Sequence, residues 1–65
     1  MVRRFKDFYG CESTIEQVEN GKWLLRTFTD WGLLLIKKAY KTENGARTAL
    51  GRFSEGTAKE IIGRF

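Results

Sequence analysis

The chain has 65 residues, of which 42% are hydrophobic, 14% aromatic and 31% charged, and its formal net charge is +4. This composition is too apolar for a disordered chain and too charged for a membrane-spanning one, so we expect a single small domain over residues 1–65. A chain of this length leaves little material for a deep pocket above a core, which disfavours most enzymes.

Two residue counts narrow the function classes further. The sequence has no histidine and a single cysteine, Cys11. The possible nucleophiles are Ser13, Ser54 and Cys11, and without histidine no imidazole is available to activate them. We therefore expect no catalytic residue, no metal site and no cofactor. One cysteine cannot form an intramolecular disulfide, which favours a reducing, cytoplasmic location, although the role of Cys11 itself stays open. The longest apolar run, residues 33–36, is far too short for a membrane span.

The first predicted element is a β-hairpin around Asn20-Gly21. An Asn-Gly pair tolerates positive φ at both central turn positions, and runs typical of strands flank it, over about 13–19 and 22–29. A two-residue loop would place Glu19 opposite Lys22 as a cross-strand charge pair.

A second turn is predicted at residues 29–32, where Asp30 comes early and Gly32 last. That composition is typical of a type I turn or of a turn ending in a glycine bulge. A third strand then follows over about 33–40, so the strands over 13–40 form an antiparallel meander.

The hydrophobic period changes to that of a helix after Lys41. Residues 46, 49, 50 and 53 form one apolar stripe of an amphipathic helix, with Thr42 as the N-cap, Glu43 in the first turn and Gly56 at the end. The apolar spacing at 58, 61, 62 and 65 is compatible with a short C-terminal helix over residues 57–64.

The predicted fold class is therefore α+β, a three-stranded antiparallel β-meander packed against one main α-helix (β-β-β-α), with that short C-terminal helix. Residues 1–12 form an N-terminal arm, and 42–65 the helical part. We expect one sheet face to hold Trp23, Leu25, Leu34 and Ile36 against the helix. The other face, which also carries apolar residues, would be covered by the arm or by a second copy of the chain.

The positive charge is concentrated in the third predicted strand, the turn after it and the predicted helix, together with the N-terminal arm. Such a concentration is typical of a surface that binds phosphates, and it equally suits a solvated face without a partner. The candidate nucleic-acid-binding residues are Arg26, Lys37, Lys38, Lys41, Arg47 and Arg52.

Two aromatic residues are candidates for contact with a partner protein. Trp31 lies in a predicted turn, where a large apolar side chain is unusual, and Tyr40 ends the third strand. Tryptophan is enriched at interface hot spots, and tyrosine can stack on bases. The alternative for both residues is packing at the edge of the core.

The segment from Ala39 to Leu50 resembles the strand-to-helix junction of the arm-type DNA-binding domains of phage and transposon integrases. It has an aromatic residue, Lys-Thr, a short polar spacer and then Ala-x-x-Ala-Leu. That resemblance implies a three-stranded sheet placed in the major groove of DNA, with contacting residues drawn from 22–38. The size of the chain also resembles that of accessory proteins of phages and other mobile elements.

The chain is also similar to single units of the YegP-like small bacterial proteins. The shared layout is Gly-Lys-Trp at 21–23, Tyr-Lys-Thr at 40–42 and Gly-Ala at 45–46. YegP-like proteins have a tandem arrangement, whereas this chain has one unit, and the resemblance implies no particular activity.

Two function hypotheses follow. The first is a small non-enzymatic protein that binds duplex DNA through a basic sheet and helix surface. The second is a protein–protein interaction module, an inhibitor or adaptor of a host protein, that acts through an exposed aromatic and apolar face. A homodimer is compatible with either, and neither involves a membrane.

Overall fold

Five antiparallel strands and one helix make up the fold in a computed structural model, which describes residues 2–61. The order of the elements along the chain is β1 (Val2–Lys6), β2 (Glu12–Gln17), β3 (Trp23–Phe28), β4 (Leu34–Tyr40), α1 (Glu43–Phe53) and β5 (Lys59–Glu60). The strands form one sheet in the order β4-β3-β2-β1-β5. The chain is thus α+β, but the predicted three-stranded meander with a C-terminal helix is wrong.

Both ends of the chain contribute strands that the sequence did not predict. The predicted arm contains β1, which pairs with β2 along its whole length. Part of the predicted C-terminal helix is instead β5, where Lys59 pairs with Lys6 and Glu60 with Phe5. The amide of Ile61 extends this pairing by donating to the carbonyl of Arg4 at 2.8 Å. Residues 62–64 of that predicted helix lie outside the described residues.

The three turns between β1 and β4 share one design. In each turn the amide of a glycine with positive φ donates a hydrogen bond to the carbonyl oxygen three residues earlier. The pairs are Gly10 with Asp7 at 3.2 Å, Gly21 with Val18 at 2.9 Å, and Gly32 with Thr29 at 3.0 Å. Only glycine adopts that backbone conformation readily, so these three turn positions favour glycine.

The predicted turn at residues 29–32 is confirmed, including its closing glycine bulge. The hairpin at Asn20-Gly21 is also confirmed, but its loop has three residues, and Val18 rather than Glu19 lies opposite Lys22. The reason is that Gly21 alone has positive φ there, whereas a two-residue loop of the predicted type requires it at both central positions.

Helix α1 begins and ends at the predicted signals. Thr42 is the N-cap, and its Oγ1 accepts a hydrogen bond from the amide of Gly45 at 3.0 Å. At the other end the amide of Gly56 donates to the carbonyl of Gly51 at 2.8 Å, a Schellman-type closure that satisfies a terminal carbonyl.

The core lies between α1 and one face of the sheet. Its buried apolar side chains are Phe5, Ile15, Leu25, Ala46 and Leu50. Phe5 comes from the predicted arm, so the arm contributes to the core and does not cover the opposite face of the sheet. We call that opposite face, which α1 does not cover, the open face.

Two residues predicted to pack in the core are exposed instead. Leu34 lies opposite Phe28 on the open side, because a β-bulge in β4 leaves Leu35 without a partner and reverses the alternation of side chains. Phe53, the last residue of α1, is also exposed, although Leu50 and Ser54 on either side of it are buried. Trp23 and Ile36 pack against the core as predicted.

Candidate nucleic-acid interface

The strand register aligns four polar side chains in one row across the open face. Arg4 pairs with Thr14, Thr14 with Arg26, and Arg26 with Lys37. Directly paired residues point to the same face of a sheet, and this row alternates with the row that carries Ile15 and Leu25 into the core. Neighbouring strands are about 4.8 Å apart, so the row from Arg4 to Lys37, which we call the basic row, is about 14 Å long.

One carboxylate moderates the charge of the basic row. Glu16 accepts a hydrogen bond from Nη2 of Arg26 at 2.9 Å, and both side chains are about one-third exposed. At that exposure the pair contributes little to stability. Among the described residues, no carboxylate lies within salt-bridge distance of Arg4 or Lys37.

Two polar atoms in the middle of the basic row have no hydrogen-bond partner among the described residues. They are Oγ1 of Thr14 and Nε of Arg26, and both are enclosed by neighbouring side chains. Enclosed polar groups are nearly always satisfied in folded proteins. The centre of the row therefore contains two enclosed polar groups that the described side chains leave unsatisfied.

Two more lysines extend the positive surface next to Arg4. Lys6 lies two residues after Arg4 on β1, and it pairs directly with Lys59 on β5. Glu12 lies opposite Lys6 on the β2 side, outside salt-bridge distance. The open face thus carries five cations and two carboxylates in the residues that the register aligns there.

The six basic residues predicted to bind nucleic acid do not lie on one surface. Arg26 and Lys37 are neighbours in the basic row, whereas Lys38 points to the helix side, where its Nζ lies 5.7 Å from the ring centre of Tyr40. Lys41 follows the end of β4.

The remaining two predicted residues belong to α1, on the other side of the sheet. The guanidinium of Arg47 lies 5.6 Å from the ring centre of Phe5, and Arg52 is exposed in the last turn. Sequence reasoning missed Arg4, Lys6 and Lys59, which need the pairing of β1 and β5 to reach the open face. The only sequence signal for Arg4 and Lys6 is the basic character of the first six residues, and Lys59 has no such signal.

Arg3 is the one arginine of β1 that is already engaged on the helix side. Its guanidinium donates to Glu60 at 2.6 Å and to Glu43 at 2.7 Å, which ties β5 and the start of α1 to β1. The hydrogen bonds with Glu60 and Glu43 raise the pKa of Arg3, and the hydrogen bond from Arg3 lowers the pKa of Glu60. This cluster is a structural clamp.

The two aromatic candidates lie at opposite ends of the sheet. Trp31 is 75% exposed in the turn between β3 and β4, next to the exposed Leu33. Tyr40 is half-buried at the far end of β4, where it pairs with Trp23 and packs against the core. The structure does not bring Trp31 and Tyr40 together.

Cys11 is half-buried in the turn after β1. Burial, together with the nearby charges of Asp7 and Asp30, raises the pKa of its thiol. A raised pKa disfavours the reactive thiolate, so this cysteine has the properties of a packing residue.

Residues 2–61 contain no group of three or more Cys, His, Asp or Glu side chains placed to hold a metal ion. In the same range, no helix has the length and apolar character needed to cross a bilayer. Comparison of the chain with protein-family models, with curated proteins and with solved structures found no match. The resemblances to integrase arm-type domains and to YegP-like proteins therefore stay predictions.

Proposed function

We propose that this protein is a small non-enzymatic DNA-binding protein that contacts the phosphate backbone of a duplex through the open face of its sheet. The observation that carries the proposal is the basic row, in which three of four aligned side chains are cations on a face that the helix leaves uncovered. Clustered lysine and arginine side chains on one face are the usual electrostatic footprint of a nucleic-acid-binding surface.

The length of the basic row supports binding to a DNA duplex. Its length of about 14 Å is close to the major-groove width of about 12 Å, so cations at its two ends are spaced to approach phosphates on both sides of the groove. Lys6 and Lys59 add charge beside Arg4.

The proposed interface differs from the basic set that the sequence predicted. It keeps Arg26 and Lys37 and adds Arg4, Lys6 and Lys59. It leaves out Lys41, which follows the end of β4, and Lys38, Arg47 and Arg52 on the helix side. This division of the charges makes a controlled experiment feasible, because equal charge can be removed from either side of the sheet.

The experiment compares two triple variants in a duplex-binding titration by fluorescence anisotropy. The first variant neutralises the basic row with Arg4→Gln, Arg26→Gln and Lys37→Gln. The control variant removes the same charge from the helix side with Arg47→Gln, Arg52→Gln and Lys38→Gln. Affinity is measured at several salt concentrations between about 50 and 200 mM, and the slope of log K against log salt counts the phosphate contacts.

We expect the basic-row variant to lose about one unit of slope for each lost contact, and the control to keep the slope of the original protein. Equal losses in both variants would show that only overall charge matters and would contradict the interface. Absence of binding by the original protein even at the lowest salt would overturn the function.

A second candidate function is supported by the exposed apolar side chains where β3 turns into β4. Trp31 stands beside Leu33, Leu34 and Leu35, all of them exposed. A cluster of exposed large apolar residues is typical of a protein-interaction surface. If the protein is an adaptor or inhibitor, one specific protein will co-purify with it and will be lost in Trp31→Ala while the circular dichroism spectrum is unchanged. A pull-down that Trp31→Ala does not alter would exclude this version.

A further inference from the structure

The turn between β1 and β2 presents an aromatic ring almost fully to solvent. Phe8 is 81% exposed, the most exposed of the large apolar side chains in the described part of the chain. The turn that carries it is held firmly, because the amide of Phe8 donates to Oγ1 of Thr57 at 3.0 Å. Oδ1 of Asp7 also accepts hydrogen bonds from the amides of Tyr9 and Cys11, each at 2.9 Å.

Two lysines lie beside this ring and oppose each other directly. Lys6 and Lys59 are paired across β1 and β5, and no carboxylate of residues 2–61 is within salt-bridge distance of either. Like charges directly opposite each other destabilise a sheet. An anion bound between them would remove that repulsion.

The ring and the lysines line one depression in the surface. It has a volume of about 430 Å³ and is lined by Lys6, Asp7, Phe8, Thr57 and Lys59. Small-molecule sites typically have volumes of about 300–1,000 Å³. Asp7, which is 9% exposed, contributes an oxygen, Oδ2, that is buried without a hydrogen-bond partner. The depression is thus lined by a residue that has an enclosed, unsatisfied acceptor.

We infer that this depression binds a single nucleotide, with the phosphate between Lys6 and Lys59 and the base stacked on the ring of Phe8. An exposed aromatic ring next to paired cations is the arrangement that nucleotide recognition uses, since every base offers a face for stacking. A purely apolar ligand would leave the two lysines unneutralised.

The nucleotide site extends the proposed DNA-binding surface, and its part in binding DNA rests on the proposed function. Lys6 is the second residue after Arg4 on the same face of β1, so the depression continues the basic row at one corner of the open face. A DNA duplex bound along the row would extend an unpaired nucleotide, such as an overhang, into the depression. The nucleotide site itself can be tested without a duplex.

The test is a nuclear magnetic resonance titration of the isotopically labelled protein with deoxyadenosine 5′-monophosphate. Deoxyribose 5-phosphate serves as the probe without a base. We expect shifts of the amide resonances of Lys6, Phe8 and Lys59 with both probes, and tighter binding of the nucleotide. Phe8→Ala should weaken nucleotide binding at least about fivefold, while leaving the binding of deoxyribose 5-phosphate unchanged.

Two further variants make the result specific. Phe8→Trp should retain nucleotide binding, because it keeps a stacking surface. Trp31→Ala removes another highly exposed aromatic ring at this end of the sheet and should have no effect. Shifts centred elsewhere, or a Phe8→Ala variant that binds the nucleotide as tightly as the original protein, would overturn the inference.

The outcomes separate this site from the proposed function. If the duplex binds through the basic row but the nucleotide does not bind at Phe8, the inference is wrong and the proposed function stands. If the nucleotide binds at Phe8 but no duplex binds, the proposed function is wrong and the depression is a site for free nucleotides.

Discussion

Arg26 and Lys37 lie directly opposite each other on the open face of the sheet, although both are positively charged. Glu16 forms an ion pair with Arg26, but among the described residues no carboxylate lies within salt-bridge distance of Lys37. Like charges placed directly opposite each other in a sheet destabilise it. The free protein therefore carries a repulsion that a bound polyanion would relieve.

Removing the charge of Lys37 should stabilise the protein and weaken the proposed binding to DNA. We expect Lys37→Thr to raise the free energy of unfolding by about 0.2–1 kcal/mol, measured by urea denaturation, and to lower duplex affinity. Lys38→Thr is the matched control, since it makes the same change one position along β4 on the helix side. If Lys38→Thr weakened DNA binding as much as Lys37→Thr, the assignment of the interface to the open face would be wrong.

A buried pair of hydroxyl groups makes a second prediction about stability. Oγ of Ser13 and Oγ1 of Thr27 are 2.8 Å apart, and the two residues are 2% and 0% exposed. Thr27→Val keeps the shape of the side chain but leaves the Ser13 hydroxyl buried without this partner, which should cost about 1–3 kcal/mol.

The double variant Ser13→Ala with Thr27→Val removes both polar groups. Its loss in free energy of unfolding should therefore be smaller than the sum of the losses in the two single variants. A double-mutant cycle measured by denaturant unfolding gives the coupling. Strict additivity would show that the two hydroxyls act independently.

The clamp formed by Arg3 predicts a dependence of stability on pH. The hydrogen bond from Arg3 lowers the pKa of Glu60 below its ordinary value of 4.5. As the pH falls past that ordinary value, the unfolded chain takes up a proton before the folded protein does. The stabilisation is therefore fully present above pH 4.5 and is lost as the pH falls through the folded pKa.

Thermal unfolding between neutral and acidic pH measures this effect. The variant Arg3→Met should have a lower Tm than the original protein at neutral pH, and the difference should shrink on acidification. Hydrogen exchange of the Ile61 amide, which bonds to the carbonyl of Arg4, should be faster in the variant because β5 is less firmly held. A difference in Tm that stays constant with pH would contradict the role of the Arg3–Glu60 ion pair.

Two glycine-to-alanine substitutions should act in opposite directions. Gly21 has a φ of +82°, so alanine there must adopt a left-handed conformation, at a cost of about 1–2 kcal/mol. Gly51 lies in α1 with no atom within 4 Å of an added Cβ, so alanine should stabilise the helix by about 0.5–1 kcal/mol. Both values are measurable by urea unfolding, and effects of the same sign would contradict the assigned backbone conformations.

The parts of the fold that could be predicted from the sequence are those set by local chemistry. The turn at Gly21, the glycine bulge at Gly32 and the cap at Thr42 each depend on residues within one turn of the chain. The turn at Gly10 has the same hydrogen-bond pattern and was missed. Its signal was the regular spacing of Gly10, Gly21 and Gly32, each 11 residues from the next.

The strands β1 and β5 could not be predicted because distant residues determine them. Along β1, Arg3 points to the helix side, where an apolar residue would be expected, and it fits there only because of Glu43 and Glu60, which are 40 and 57 residues away. Lys59 and Glu60 have no strand pattern of their own and are ordered by their pairing with β1. Arg26 and Lys37 lie on strands that the sequence predicts, so they could be selected from the sequence. Arg4, Lys6 and Lys59 lie on β1 and β5, so their selection required the register.

Leu35, the extra residue at the β-bulge of β4, determines which side chains of that strand point to each face of the sheet. If pairing continued from Phe28 and Leu34 without a bulge, Lys37 would lie opposite Leu25 on the helix side, the position that Lys38 occupies in the structure. Ile36 would then pair with Arg26 on the outside. Because Leu35 shifts the register by one position, Ile36 and Tyr40 pack against the core and Lys37 joins the basic row. One inserted residue thus determines both the hydrophobic packing of the edge strand and the charge that the sheet presents.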